Sequence, residues 1–173
     1  MKNLLYIILH EGAGMINIFD IGITWKEAPM SPSGSLTIFV GFPDRSCRFH
    51  CDGCSWGKDG EKPIGEPLSL DKFKDILNNK RKYTDFVCFL GDGGCGENLI
   101  EYLRIVKEFG MKTLLYTGGK IDDYSKEVLK ALDWIKTGRW EGKSLEDVNT
   151  NQKIFKLIDG NVVGIENYRK YYV

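Results

Sequence analysis

From Ser69 onward, apolar positions alternate between two periods. Over Ser69–Lys80 the residues Leu70, Phe73, Ile76 and Leu77 share one helical face, and Ser69 stands where a cap is needed. Asp85–Leu90 (DFVCFL) is a continuous apolar run of strand length, closed by GDGGCG at 91–96. Glu97–Phe109 returns to helical spacing through Leu99, Leu103, Ile105 and Val106, with Gly110 as its stop. Lys112–Tyr116 (KTLLY) predicts a strand ended by Thr117-Gly118-Gly119, Tyr124–Leu132 a third helix, and Asp133–Lys136 a strand ended by Thr137-Gly138. A last strand or hairpin is expected over Ile154–Ile158 and Val162–Ile165, around the turn Asp159-Gly160-Asn161. Ahead of this array, Ile16–Trp25 predicts an edge strand and Lys26–Gly34, with Pro29 and Pro32, a loop. Ser35–Val40 (SLTIFV) predicts a buried strand. Residues 57–68 hold three Gly and two Pro and are expected to be loop.

Apolar strands alternating with helices imply parallel βα units. The expected fold class is therefore α/β: a single domain of mostly parallel strands. The chain is too short for eight units, so a barrel would be partial. In parallel sheets, ligands bind beyond the carboxyl ends of the strands. Four turns are thus expected to face one site: the loop after Val40, GDGGCG, Tyr116-Thr117-Gly118 and Lys136-Thr137-Gly138.

Charge and composition narrow the function. Lys+Arg and Asp+Glu are equal at 24 each, so there is no overall electrostatic case for a nucleic-acid or membrane partner. The run Leu4–Leu9 is too short to span a bilayer, and no small-residue cleavage site follows it. Met15 opens the stretch MINIFDIGITW, so residues 1–14 read as an extension ahead of a working domain at 15–173. The five cysteines are odd in number, and three lie too close together for a disulfide framework. This usage points to a reducing cytoplasm and to metal-binding or catalytic thiols.

Those three thiols sit in CRFHCDGC, residues 47–54, with the spacing C-x3-C-x2-C. A structural zinc site would need a fourth ligand from His50, Cys88 or Cys95, and the second half of a zinc motif is missing. The spacing also differs from that of ordinary four-thiolate electron carriers. What remains is a [4Fe–4S] cluster held by Cys47, Cys51 and Cys54, with one iron open to a small molecule.

C-x3-C-x2-C after a first strand and ahead of a parallel βα array resembles the radical S-adenosylmethionine enzymes. Thr113–Gly118 (TLLYTG), Leu132–Trp140 (LDWIKTGRW) and Thr150–Lys153 (TNQK) follow in order over residues 16–158. Together they resemble the small activating proteins of anaerobic ribonucleoside-triphosphate reductases. The resemblance implies a partial barrel with a cluster that cleaves S-adenosylmethionine to a 5′-deoxyadenosyl radical. That radical would abstract hydrogen from a glycine of the large reductase partner, with electrons from a low-potential donor such as flavodoxin. It further implies that Cys47, Cys51 and Cys54 hold the cluster, and that Gly91, Asp92 and Gly93 approach the methionine moiety. Tyr116 and Thr117 would meet the adenosyl group. Lys136 reads either as a carboxylate ligand or, preferably, as a solvated strand end. The sequence departs from the family's G-G-[ED]-P segment, which here is Leu90-Gly91-Asp92-Gly93-Gly94-Cys95. Cys88 is expected in the core, Cys95 near the site, His50 as a loop-shaping residue, and Asn151 and Gln152 as braces of the last strand. Activation of another glycyl radical enzyme, deazapurine synthesis, and a zinc-bound interaction module stand as alternatives.

Overall fold

The computed structural model describes residues 14–45, 47–54, 62–94 and 96–171. Residues 1–13 and Cys95 lie outside the described residues, and with them the readings made there. The chain forms β1 (Ile16–Thr24), β2 (Ser35–Val40), β3 (Glu66–Leu68), α1 (Leu70–Lys80), β4 (Phe86–Leu90), α2 (Ile100–Glu108), β5 (Lys112–Tyr116), α3 (Lys126–Ala131), β6 (Trp134–Thr137), β7 (Lys153–Ile158) and β8 (Asn161–Glu166). Short 3-10 turns cover Gly96–Leu99, Ile121–Asp123 and Tyr168–Tyr171.

Among the described residues all eight strands belong to one sheet, in the order β3-β1-β2-β4-β5-β6-β7-β8. The central pairings β2/β4, β4/β5 and β5/β6 are parallel. The flanking pairings β1/β2, β1/β3, β6/β7 and β7/β8 are antiparallel. The expectation of mostly parallel strands is therefore corrected: the sheet is mixed, with more antiparallel than parallel neighbours. The cause is connection length. A parallel return needs a crossover of a dozen residues or so, usually a helix. Only the centre has such helices. The loop between β1 and β2 is too short for one, and Asp159 (φ 51°) with Gly160 (φ 77°) folds β7 directly onto β8.

Two further expectations change. β1 is not an edge strand, because β3 lies outside it. β3 falls in a segment expected to be loop; it is three residues long and carries Pro67, which an edge tolerates and a pattern search passes over. The third helix begins at Lys126, not Tyr124. Ser125 is extended (φ −65°, ψ 160°) and accepts from the Val128 N–H, so it caps the helix and leaves Tyr124 outside it.

The central strands step in one direction along the sheet, and residues of all three helices join the core on a single face. Alternate strand residues divide accordingly. Leu36, Ile38, Val40, Val87, Phe89 and Leu115 pack with Phe73, Leu77, Leu103 and Val106 of the helices. Phe86, Cys88, Leu90 and Leu114 pack on the other face, under Ala28 of the β1–β2 loop. β4 is buried throughout, as its unbroken apolar run predicts. Among the described residues no helix is long and apolar enough to cross a membrane.

Candidate functional site

The parallel strands end together, and their turns enclose a cavity of about 260 Å³. The four turns expected to converge do so. Cys47, Cys51 and Cys54 line this cavity with Gly91, Asp92, Tyr116, Thr117 and Lys136. Gly93 does not reach the wall. It turns the chain in the left-handed region (φ 63°), with Val40 packed against it.

The cysteine loop is built from two tight turns. The His50 N–H donates to the Cys47 carbonyl (3.1 Å) and the Cys54 N–H to that of Cys51 (3.4 Å). His50 itself is left-handed (φ 44°) and exposed, which fits a loop-shaping residue. Cys47, Cys51 and Cys54 are free and half-buried. The loop is seated on its neighbours by Phe49, whose ring lies where a Cβ on Gly118 would be, 2.9 Å from that position. Arg139 donates to the Phe49 carbonyl from the turn after β6.

Charge in the cavity is mixed. Lys62 and Lys136 are buried, at 6% and 8% exposure. Lys136 is thus no solvated strand end, as the sequence had favoured. It is the penultimate residue of β6, and its Nζ donates to the Gly138 carbonyl (3.3 Å) beside the Tyr116 ring. Burial lowers its pKa to about 8, while Cys51 and Cys54 act to raise it. Burial pushes the Cys47 thiol up, and the Phe49 N–H and Lys62 act against that. Metal ligation needs the thiolate form, and at Cys47 burial outweighs the help that Lys62 and the Phe49 N–H give it.

Sequence reasoning passed over Glu27, Lys62 and Trp140, and it gave Gln152 only a bracing role. All four line the cavity. Glu27 stands out because its Oε2 is buried without a hydrogen-bond partner. Each lies in a loop with no periodic pattern; Trp140 and Gln152 were marked only as parts of the LDWIKTGRW and TNQK segments, and Glu27 and Lys62 by nothing in the sequence. Gln152 also braces, as expected, through Nε2 to the Arg139 carbonyl (3.4 Å). Cys88 is fully buried in the core, as expected, and burial together with Glu27 pushes its thiol well up.

Asp92, 2% exposed, is the most heavily bonded acid of the site. Its Oδ2 accepts from the Tyr124 hydroxyl (2.6 Å), Arg48 Nη2 (3.0 Å) and Thr117 Oγ1 (3.4 Å). Its Oδ1 accepts from the Gly94 N–H (3.0 Å). Burial, and next the Asp92 charge, hold the Tyr124 hydroxyl well above its usual pKa, so it stays a donor.

The donor set suits an iron–sulfur cluster: three free thiols on one short loop, partly shielded and next to buried cations. Among the described residues, no three His, Cys, Asp or Glu side chains are drawn together as a ready-made metal-ion cage. The thiols are spread along the cavity wall. No known protein family, no curated protein and no solved structure matches the chain.

Proposed function

We propose that this protein is a radical S-adenosylmethionine activase, with a partial-barrel catalytic domain, that generates a glycyl radical on an anaerobic ribonucleoside-triphosphate reductase. One observation carries the reading: the three thiols of C-x3-C-x2-C line the same cavity as the turns ending the parallel strands β4, β5 and β6. A free-standing zinc knuckle would not need that cavity. The choice of reductase partner, and of a low-potential donor such as flavodoxin, rests on the ordered TLLYTG, LDWIKTGRW and TNQK segments. Free, half-buried thiols support a reducing, cytoplasmic setting.

Cys47, Cys51 and Cys54 would hold a [4Fe–4S] cluster. When bound, the cluster supplies the electron that splits the carbon–sulfur bond of S-adenosylmethionine and yields the hydrogen-abstracting radical. The protein's own part is to bind, orient and shield. Lys62 and Lys136 keep positive charge at the wall beside the thiols, where they offset thiolate charge and can receive a carboxylate. The backbone of the turn at Gly91 meets the cavity without a side chain in the way. Tyr116 and Thr117 offer an aromatic face and a hydroxyl at the neighbouring strand end. Phe49 and Phe42 close apolar sides of the cavity and exclude water.

Anaerobic reconstitution with iron and sulfide tests the reading. The expected product is a brown protein that, once reduced, cleaves S-adenosylmethionine to 5′-deoxyadenosine and methionine. Cys47→Ala, Cys51→Ala and Cys54→Ala should each lose the cluster and the cleavage. Tight zinc binding with no cluster would sink the proposal. Electron paramagnetic resonance of the reduced protein mixed with the reductase then tests the partner. No glycyl radical there would leave a radical enzyme with another substrate.

A further inference from the structure

We propose that Asp92 is a positioning residue: with Arg48, Tyr124 and Thr117 it forms a latch that pins the cysteine loop to the ends of β4 and β5. In the family pattern the acid at this turn is a ligand-contacting group. Here its carboxylate is already committed. Oδ2 is met by Tyr124, Arg48 and Thr117, and Oδ1 by the Gly94 N–H. A carboxylate so engaged has little capacity left for an incoming ammonium.

The four partners come from four separate segments. Arg48 sits inside the cysteine loop, directly after Cys47. Asp92 is in the turn after β4, Thr117 is the first residue after β5, and Tyr124 precedes the cap of α3. The Arg48 guanidinium lies over the Phe49 ring (4.7 Å) and faces the Tyr124 ring (5.8 Å), so it is held on its flat faces as well as at its edge. The Tyr124 hydroxyl also lies 2.5 Å from Thr117 Oγ1, which in turn accepts from the Gly119 N–H (2.9 Å). Backbone makes room for this arrangement: a Cβ on Gly96 would fall 2.5 Å from the Tyr124 ring. The latch fixes one side of the loop and Phe49 on Gly118 fixes another. Between them the thiols are held at the cavity wall.

The latch is a property of the metal-free chain. It rests on the activase reading only for what the loop holds, and two measurements keep the two apart. The first is backbone amide exchange in metal-free protein. Arg48→Ala and Asp92→Asn should each speed exchange over residues 47–54 by roughly three- to tenfold, with β4 and β5 still protected. The double variant should go little further, because both remove one unit. Arg48 is at the surface, so Arg48→Ala keeps the test alive if Asp92→Asn fails to fold. Exchange within about twofold of wild type, or effects that multiply in the double variant, would overturn the latch. The second is the electron paramagnetic resonance signature of iron-loaded Tyr124→Phe, which keeps the ring and removes the hydroxyl's contacts with Asp92, Thr117 and Arg48. Altered g-values at unchanged iron content are expected, and an unaltered spectrum counts against the latch. If wild type takes zinc and no cluster, the activase reading fails while the exchange result stands.

Discussion

Gly118 shows how a single missing side chain seats the site. The Phe49 ring occupies the place of its Cβ, so Gly118→Ala sets a methyl group 2.9 Å from ring carbons. The backbone of Gly118 is not left-handed, and the penalty is therefore one of packing alone. It should cost roughly 1–3 kcal/mol in chemical denaturation. The same variant should take up less iron, because Phe49 is a member of the cysteine loop. At this scale the thiols, Gly91, Asp92, Tyr116 and Thr117 were legible as neighbours of the cavity because they close strands or share one dense motif, whereas the inward turn of Lys136 was not. Lys62 and Glu27 were not legible, since nothing local distinguishes a lysine or glutamate that folds inward from one that faces water. Asp92 was found for a different reason from the one its position suggested. Its neighbours in the sequence are glycines, and the donors that engage its Oδ2 lie between 25 and 44 residues away.

Among the elements, α3 is the one whose start decides chemistry. Ser125 caps it, and Tyr124 is thereby released to reach Asp92. Ser125→Ala should cost about 1 kcal/mol of stability, measured by thermal or urea unfolding. Amide exchange should also rise at Lys126–Val128. Helical periodicity alone placed Tyr124 inside the helix, because an aromatic residue continues the apolar face as well as it ends it. The strands were legible wherever both faces are buried, as in β2, β4 and β5. β3 was not, since three residues cannot display a period. Direction was legible where a helix intervenes and where a tight turn such as Asp159-Gly160-Asn161 folds one strand onto the next. That is why the parallel centre was expected and the antiparallel pairing of β1 with β2 was not.

For the molecule as a whole, the far edge is tied down by Glu166 on β8. It accepts from Trp134 Nε1 of β6 (3.3 Å) and from Lys170 Nζ (3.1 Å) and the Tyr171 hydroxyl (3.2 Å) of the closing turn. Burial works to raise its carboxyl pKa, but the hydrogen bonds from Lys170 and Trp134 outweigh it and hold the folded carboxyl below its ordinary value. A carboxyl depressed in the folded state stabilises above its unfolded pKa and loses that contribution as pH falls through its folded pKa. Wild type should therefore lose more stability than Glu166→Gln between neutral pH and about pH 3, as read by urea unfolding. Equal losses would separate this cluster from the acid response of the fold.

The latch has a consequence in time. Arg48 and Tyr124 are 76 residues apart in sequence, and Asp92 and Thr117 lie between them. Apart from the Tyr124–Thr117 contact, seven residues apart, the latch contacts bridge 25 to 76 residues, so they wait on closure of a long stretch of chain. β2, β4 and β5 must pair before the loop has anything to grip. A growing or newly released chain is thus expected to carry three loosely held thiols until β5 has paired and Tyr124 can reach Asp92. By this argument those thiols are ordered after β2, β4 and β5 have paired, so a cluster of the proposed kind would be loaded onto a scaffold already formed.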